Sequence, residues 1–336
     1  MNVQETVAQF RTDFQSLRRE IGKVIVGHQE IVDGVLVCMF CSGHALLEGV
    51  PGLGKTMLIR TLSQVLDLNF SRIQFTPDLM PADIIGTNIV METDKGARMF
   101  QFQKGPIFSQ MVLADEINRA TPKTQSALLE AMQEHSVTVG GKTHRLQEPF
   151  FVMATQNPIE MEGTYPLPEA QLDRFFLKLL IRFSALGELK EILNRTTENV
   201  KLEPAKVLNA ERIIEWQRLV RDTVAAPPIK DYVARLILAT HPRTAFAPEI
   251  VNKYVRFGSS PRGGQAILLA SKVYALLDGR YNVAFEDAKK AAFPALRHRL
   301  ILNFEADAEG VASDTVLEGV LQHLPTESTE AVGAKK

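Results

Sequence analysis

The sequence has few of the features that mark secreted, membrane-embedded or strongly nucleic-acid-binding proteins. Its formal net charge is −1 at pH 7, so no global field draws the chain toward nucleic acid or anionic lipid. No stretch approaches about 18 consecutive apolar residues, the length that a membrane span requires. Residues 1–9 lack the basic start and the apolar run of a signal peptide. We therefore expect a cytoplasmic protein without membrane insertion.

Cysteine is also scarce, with only two in 336 residues. Cys38 and Cys41 are spaced C-x-x-C, and His44 follows three residues later. This spacing resembles half of a zinc site, but the sequence holds no second half. Both cysteines lie in an apolar segment typical of a buried helix, and cysteine is among the most buried residue types. We predict that they pack in the core and have no metal-binding or redox role.

The most informative segment present is Gly49–Thr56, which matches G-x-x-x-x-G-K-[ST] at every fixed position. It stands between a short strand pattern and a helical pattern, the context that a phosphate-binding loop requires. Backbone N–H groups and the helix start close around phosphate oxygens. Lys55 supplies a cation to the β- and γ-phosphates, and the Thr56 hydroxyl can bind Mg²⁺. The residues predicted to bind a nucleoside triphosphate here are Gly49, Pro51, Gly52, Leu53, Gly54, Lys55, Thr56 and Met57.

The chain is long enough for two domains, and its pattern changes near residue 183. Residues 1–183 alternate strand and helix patterns after an N-terminal amphipathic helix, which predicts a parallel α/β sheet. Two hairpins are predicted within this domain, at about 86–104 and 137–145. Residues 184–324 predict a helical domain, and residues 325–336 a disordered tail. The predicted helices of the second domain are 186–195, 210–224, 229–240, 262–277 and 284–297.

Polar side chains follow two of the apolar strands. Asp115 and Glu116 come directly after one, and we predict that Asp115 holds Mg²⁺ while Glu116 polarises the attacking water. Asn157 follows the next strand and is predicted to orient that water near the γ-phosphate. On the residues alone, the acidic pair could instead be solvated carboxylates at a helix start. Asn157 could likewise belong to an ordinary turn, because Pro158 follows it.

Two arginines are candidates for stabilising charge on the transferring phosphoryl group. Arg174 precedes a predicted strand and fits the role of an arginine finger. Its alternative is a surface ion pair with the adjacent Asp173. Arg262 falls in the first turn of a predicted helix, where a cation opposes the helix dipole. A positive charge at that point calls for an anionic partner, and a phosphate group would supply one.

Together these segments resemble the MoxR family of AAA+ ATPases over residues 22–300, most specifically in the first 180 residues. The matching segments are Val26–Gln29, the Walker A segment Gly49–Thr56, Phe75–Gly86, Gln103–Phe108, the Walker B segment Asp115–Ala120, the sensor 1 segment Ala154–Pro158, the arginine-finger segment Leu167–Phe175 and the sensor 2 segment Gly258–Arg262.

The resemblance implies an AAA+ P-loop core with a C-terminal all-helical lid, ATP and Mg²⁺ as cofactors, and hydrolysis of ATP to ADP and phosphate. It places Val26 and Gly27 in the adenine pocket, and it makes residues 86–104 an insert in helix 2. It also implies a homo-oligomer, usually a hexameric ring, that remodels or matures client proteins in a chaperone-like manner. Clients and partners of this family often carry a von Willebrand factor A domain.

Other functions stay open at this level. A DNA-remodelling motor is one, since the predicted hairpins resemble those of replicative helicases and residues 142–145 are mildly basic. The near-neutral total charge argues against nucleic-acid binding. A nucleotide-gated binding module with little turnover is another, and the intact pair Asp115 and Glu116 argues against it. A metal-chelatase subunit is a third, related alternative.

Overall fold

The structure is a computed structural model that describes residues 2–50, 52–92, 98–158, 164–198 and 202–326. Pro51, the predicted hairpin turn at 94–96 and the chain beyond residue 326 lie outside the described residues. The strands are β1 Ala45–Glu48, β2 Phe70–Gln74, β3 Gly86–Glu92, β4 Arg98–Lys104, β5 Met111–Asp115, β6 Ser136–Val139, β7 Lys142–Arg145, β8 Phe151–Gln156, β9 Leu177–Leu180, β10 Val255–Phe257 and β11 Ile301–Leu302.

Fourteen α-helices lie within the described ranges. They are α1 Val3–Val24, α2 Gln29–Phe40, α3 Lys55–Val65, α4 Pro81–Ile85, α5 Pro122–Glu134, α6 Glu169–Leu172, α7 Leu186–Thr197, α8 Ala210–Asp222, α9 Pro227–Ala239, α10 Glu249–Tyr254, α11 Pro261–Leu277, α12 Phe285–Leu296, α13 Phe304–Glu309 and α14 Ser313–His323. None of them is both long and apolar enough to cross a bilayer.

Five strands form one parallel sheet in the order β2-β5-β8-β1-β9. Residues 111–114 of β5 and 151–154 of β8 are almost fully buried, as expected for central strands that helices cover on both faces. The carboxyl ends of β1, β5 and β8 meet at one edge of the sheet, which we call the P-loop edge. The amino end of β9 lies at the other edge, which we call the opposite edge. The predicted parallel α/β core is confirmed.

Two antiparallel hairpins project from this core, β3 with β4 and β6 with β7. They meet where Phe102 stacks on His144 with ring centroids 4.1 Å apart. The first hairpin is tightly closed at its base, because a Cβ on Gly86 would lie 2.2 Å from the carbonyl oxygen of Gln103. Gly86 has φ 92°, a region that L side chains rarely adopt.

The second half of the chain forms the predicted helical lid, which packs on both the core and the N-terminal helix. Helix α1 buries Phe10 edge-on against Trp216 of α8 at 5.4 Å, and the Trp216 indole donates to Asp13 at 3.1 Å. The lid also contains the short pair β10 and β11, which the sequence pattern did not predict. At the start of the predicted tail, Pro325 accepts a hydrogen bond from Arg235 at 3.0 Å.

Candidate active site

The phosphate-binding loop lies at the P-loop edge, between β1 and α3. Gly52 and Gly54 have φ of 84° and 75°, left-handed conformations that glycine adopts without steric cost. Lys55 begins α3 and donates its Nζ to the carbonyl oxygen of Gly49 at 2.5 Å. Burial lowers the pKa of Lys55, and the nearby Asp115 and Glu116 oppose that shift. The ammonium group thus lies close to both predicted catalytic carboxylates.

The other predicted nucleotide-contacting residues of this loop differ in exposure. Gly49 is buried against Ile181, which follows β9, whereas Thr56 and Met57 are exposed on the first turn of α3. Val26 and Gly27 lie half-buried in the turn between α1 and α2, and the carboxylate of Glu188 occupies the space that a side chain on Gly27 would need. The prediction for Pro51 lies outside the described residues.

Asp115 ends β5 at the P-loop edge, and both of its oxygens have partners. The Thr155 hydroxyl donates to Oδ1 at 2.7 Å, and Arg72 donates to Oδ2 through Nη2 at 2.7 Å and Nε at 3.1 Å. Thr155 also accepts a hydrogen bond from the backbone N–H of Glu116 at 2.9 Å. This one hydroxyl therefore fixes the positions of the two acidic residues relative to β8.

Glu116 adopts φ 55° and ψ 50°, an uncommon left-handed conformation for a non-glycine residue. Its Oε2 accepts from Gln74 Nε2 at 2.8 Å and from Arg119 Nη1 at 3.0 Å. Arg72 and Gln74 were not among the predicted site residues. In the sequence, Arg72 and Gln74 are marked only by the alternation of polar side chains along β2. That alternation becomes informative once Gln74 is known to pair with Asp115 in the sheet.

Asn157 is 6% exposed and directly follows β8, between the ends of β5 and β1. The adjacent Gln156 accepts a hydrogen bond from the backbone N–H of Gly49 at 3.3 Å, which ties this segment to the phosphate loop. The sheet thus brings Lys55, Asp115 and Asn157 to one edge, although the three are far apart in the sequence.

Arg174 lies at the opposite edge. The parallel register pairs Leu177 of β9 with Ala45 at the amino end of β1, whereas the phosphate loop follows Glu48 at its carboxyl end. Arg174 is partly exposed, and Nη1 of its guanidinium donates to the carbonyl oxygen of Leu129 at 2.8 Å. This bond to a single backbone carbonyl leaves the other donors of the guanidinium free to bind an anion.

The alternative interpretation, in which Arg174 pairs with Asp173, is wrong. The Asp173 carboxylate accepts from Arg299 Nε at 2.8 Å and from the Ser260 hydroxyl at 2.9 Å. Ser260 caps α11, and Arg262 in the first turn of that helix lies 3.7 Å from Asp173. The anionic partner expected for Arg262 is therefore present in its own chain, at a distance too long for a hydrogen bond.

Arg174 and Arg262 line a common cavity of about 240 Å³ between the core and the lid, which we call the arginine cavity. Its charged wall consists of Asp173, Arg174, Arg221, Arg262 and Arg299. His44 also lines it and is neutral at physiological pH, because burial lowers its pKa to about 4. Four guanidinium groups thus face a cavity that contains one carboxylate.

The residues of the half zinc motif are buried and make other contacts. Cys38 and Cys41 are buried, and burial raises the pKa of both thiols. His44 Nδ1 accepts from the Val152 N–H at 3.0 Å, so Nε2 carries the proton and donates to the carbonyl oxygen of Met132 at 3.1 Å. Among the described residues, no group of three or more histidine, cysteine or acidic side chains is arranged to hold a metal ion.

Mg²⁺ bound with a nucleotide does not need such a cluster, because it takes few protein ligands and completes its shell with phosphates and water. The Thr56 hydroxyl is exposed at the start of α3, and the Asp115 carboxylate lies at the same edge of the sheet. These hard oxygen donors fit Mg²⁺. Arg72 would have to release Oδ2 before that oxygen could serve as a direct ligand.

Comparison with known proteins agrees with this arrangement. The profile of the ATPase family associated with various cellular activities matches residues 44–177, and an AAA lid domain matches residues 247–320. Chaperone MoxR1 of Mycobacterium tuberculosis is 42% identical, covering 93% of this chain and 82% of its own. Protein MoxR of Methylorubrum extorquens is 31% identical, with coverage of 84% and 86%.

A solved structure supports the same assignment at the level of the fold. A candidate ATPase from Cytophaga hutchinsonii superposes with a TM-score of 0.89 and 38% sequence identity, covering 96% of this chain and 97% of the other. The resemblance deduced from the Walker segments thus extends over nearly the whole chain, lid included. The protein belongs to the MoxR family of AAA+ ATPases.

Proposed function

We propose that this protein hydrolyses ATP to ADP and phosphate in a homo-oligomeric ring, usually hexameric in its family, and uses the free energy to remodel client proteins. Family membership supports an ATPase of chaperone type. The division into a core, residues 1–183, and a lid, residues 184–324, is part of the proposal, as is the cytoplasmic location. The observation that carries it is the placement of the phosphate loop and the two arginines at opposite edges of one sheet.

Each residue at the P-loop edge has a role in this proposal. The N–H groups that follow Gly52 bind the phosphates, and Lys55 turns from its carbonyl partner to the β- and γ-phosphates. Thr56 and Asp115 would hold Mg²⁺, which would neutralise charge on the phosphate oxygens. Glu116 and Asn157 orient the attacking water. Gln74 and Arg119, which hold Glu116, keep its carboxylate from that water until nucleotide binding rearranges the site.

In this proposal, Arg174 and Arg262 act on the ATP bound by a neighbouring subunit. Strand β1 alone spans about 13 Å, so Arg174 at its far end cannot reach the γ-phosphate bound in its own chain. In a ring, the opposite edge of one subunit faces the phosphate loop of the next. Arg262 shares the arginine cavity with Arg174, so it is assigned to the same neighbouring phosphate. The active site is complete only at an interface between subunits.

The proposed type of client protein is inferred from membership of the MoxR family. A partner or client with a von Willebrand factor A domain would fit, and the projecting hairpins β3–β4 and β6–β7 are the elements available to contact it. Val90 and Phe100 form a directly opposed pair on the first hairpin and are 58% and 76% exposed. An apolar surface of this kind favours protein over nucleic acid as the contacted molecule.

Phosphate release tests this proposal. Because the site is shared, the rate per subunit should rise with protein concentration as rings form. Arg174→Ala should assemble and bind ATP, yet hydrolyse about 10³-fold more slowly or worse, as loss of an arginine finger does. Equal activity of dilute monomer and assembled protein would contradict the proposal. A DNA motor would instead show salt-dependent binding to DNA, and a gated binding module would release almost no phosphate.

A further inference from the structure

The arginine cavity contains a cation that neither the sequence motifs nor the family comparison assigns. Arg221 lies in the last turn of α8, on the lid, and lines the same cavity as Arg174. Its guanidinium makes no hydrogen bond or ion pair with another residue of the described chain. Its carbonyl oxygen accepts from Lys272 at 2.6 Å, which ties this end of α8 to α11.

The charge balance of the cavity is incomplete. Asp173, its one acidic residue, is already bound by Arg299, which is buried and also donates to four backbone carbonyl oxygens in and around β9 and α12. Arg262 lies 3.7 Å from the same carboxylate, and Arg174 and Arg221 have no carboxylate partner among the described residues. Three guanidinium groups around 240 Å³ repel one another unless an anion enters.

The side chains around Arg221 also carry excess positive charge. Lys272 has a lowered pKa, first because it is partly buried and then because of the positive charge of Arg221, with Asp222 partly offsetting the shift. The dipole of α8 favours a cation in its last turn, where Arg221 lies, but it does not require that side chain to line the cavity. Arg218, about one turn earlier on the same helix, does not line it.

We propose that the arginine cavity is a phosphate-binding site in which Arg221 joins Arg174 and Arg262 as a third cationic ligand of the terminal phosphate held by the neighbouring subunit. The inference rests on the shared-site function proposed above. A tetrahedral phosphate offers three oxygens, and guanidinium groups bind phosphate oxygens through planar, charge-assisted hydrogen bonds. Because Arg221 belongs to α8 while Arg262 belongs to α11, the bound phosphate would hold two lid helices against the core.

The test is ATP hydrolysis by Arg221→Ala, with Arg218→Ala as a matched control on the same helix. Loss of one charge-assisted hydrogen bond predicts a rate at saturating ATP about tenfold to a hundredfold lower than wild type. Arg218→Ala should match wild type, and Arg221→Lys should keep part of the rate because it keeps a cation. The melting temperature and ATP affinity of Arg221→Ala should stay unchanged, since its own phosphate loop is intact.

Mixing Arg221→Ala with Lys55→Ala subunits distinguishes two roles for Arg221: action on the phosphate of a neighbouring subunit, and structural support within its own subunit. Arg221→Ala contributes an intact phosphate loop and Lys55→Ala an intact arginine cavity, so mixed rings should recover part of the activity. Wild-type hydrolysis by Arg221→Ala, or a defect that mixing never relieves, would overturn the inference. If Arg174→Ala is itself fully active, the proposed function fails; if only Arg221→Ala is fully active, this inference alone fails.

Discussion

At the scale of single residues, the proposed function makes Glu116 the group on which turnover depends most directly. Glu116→Gln keeps the shape of the side chain but removes the charge that polarises water, so hydrolysis should fall by about 10²-fold or more. ATP binding should persist, because the phosphate loop is untouched. Single-turnover phosphate release and nucleotide titration measure the two separately. Normal turnover in this variant would show that Glu116 is not the water-polarising residue.

His44 gives the structure a pH dependence of known sign. Its folded-state pKa is about 4 because it is buried, whereas an unfolded histidine titrates near 6.5. Between these values only the unfolded state binds the proton, so stability is complete above about pH 6.5 and decreases as the pH falls toward 4. The contribution is on the order of 3 kcal/mol.

Chemical denaturation of wild type and His44→Gln at pH 7 and pH 4.5 isolates this contribution. Glutamine can still donate to the Met132 carbonyl but does not titrate, so the variant should lose less stability between the two pH values. The buried His298, whose pKa is also lowered, contributes equally to both proteins. A pH dependence identical to wild type would rule out His44 as a source.

The positions of single residues were predictable where a sequence motif determines them. They were not predictable where they depend on a contact between residues far apart in the sequence. The positions of Lys55, Asp115 and Asn157 at one edge follow from three strand ends, which the sequence pattern contains. The partner of Asp173 does not follow from the sequence pattern. Arg299 lies 126 residues away, and Arg174, next to Asp173, is the more obvious choice. Only the packing of the lid on β9 decides between the two.

At the scale of elements, the first hairpin depends on the glycine at its base. Gly86→Ala places a Cβ against the backbone of β4 at a φ that alanine rarely adopts, so the free energy of unfolding should fall by about 2 kcal/mol or more. Gly22 in α1 is the matched control, since nothing lies within 4 Å of a Cβ there. Gly22→Ala should be neutral or slightly stabilising. Equal effects of the two changes in denaturant titrations would contradict this account.

Long elements with clear periodicity were predicted better than short ones. Helix α12 at 285–296 lies within one residue of the predicted range 284–297 at each end, and α11 begins one residue before it was expected. Helices α10 and α13 have only six residues each, too few to show a 3.6-residue repeat. Helix α14 at 313–323 was not predicted either. Strands β10 and β11 have three and two residues, and their pairing depends on tertiary contacts alone.

At the scale of the whole molecule, the lid and the opposite edge of the sheet form one surface. Residues 297–299, which follow α12, bond to backbone carbonyls of the segment leading into β9 and of β9 itself, on both sides of Arg174. Ser260 joins the start of α11 to Asp173 in the same place. A rotation of the lid would therefore move Arg262 and disturb Arg174 together. In the proposed ring, this motion would couple the nucleotide state of one subunit to the shape of the next.

The central claim is that one active site is built from two subunits, and mixed rings test it most directly. Arg174→Ala lacks the arginine, and Lys55→Ala lacks the phosphate-binding lysine, so each should be nearly inactive alone. Their mixture should regain part of the wild-type rate, because some interfaces pair an intact phosphate loop with an intact Arg174. Sedimentation velocity verifies that mixed rings form. Mixed rings that stay as inactive as either parent would contradict the shared site.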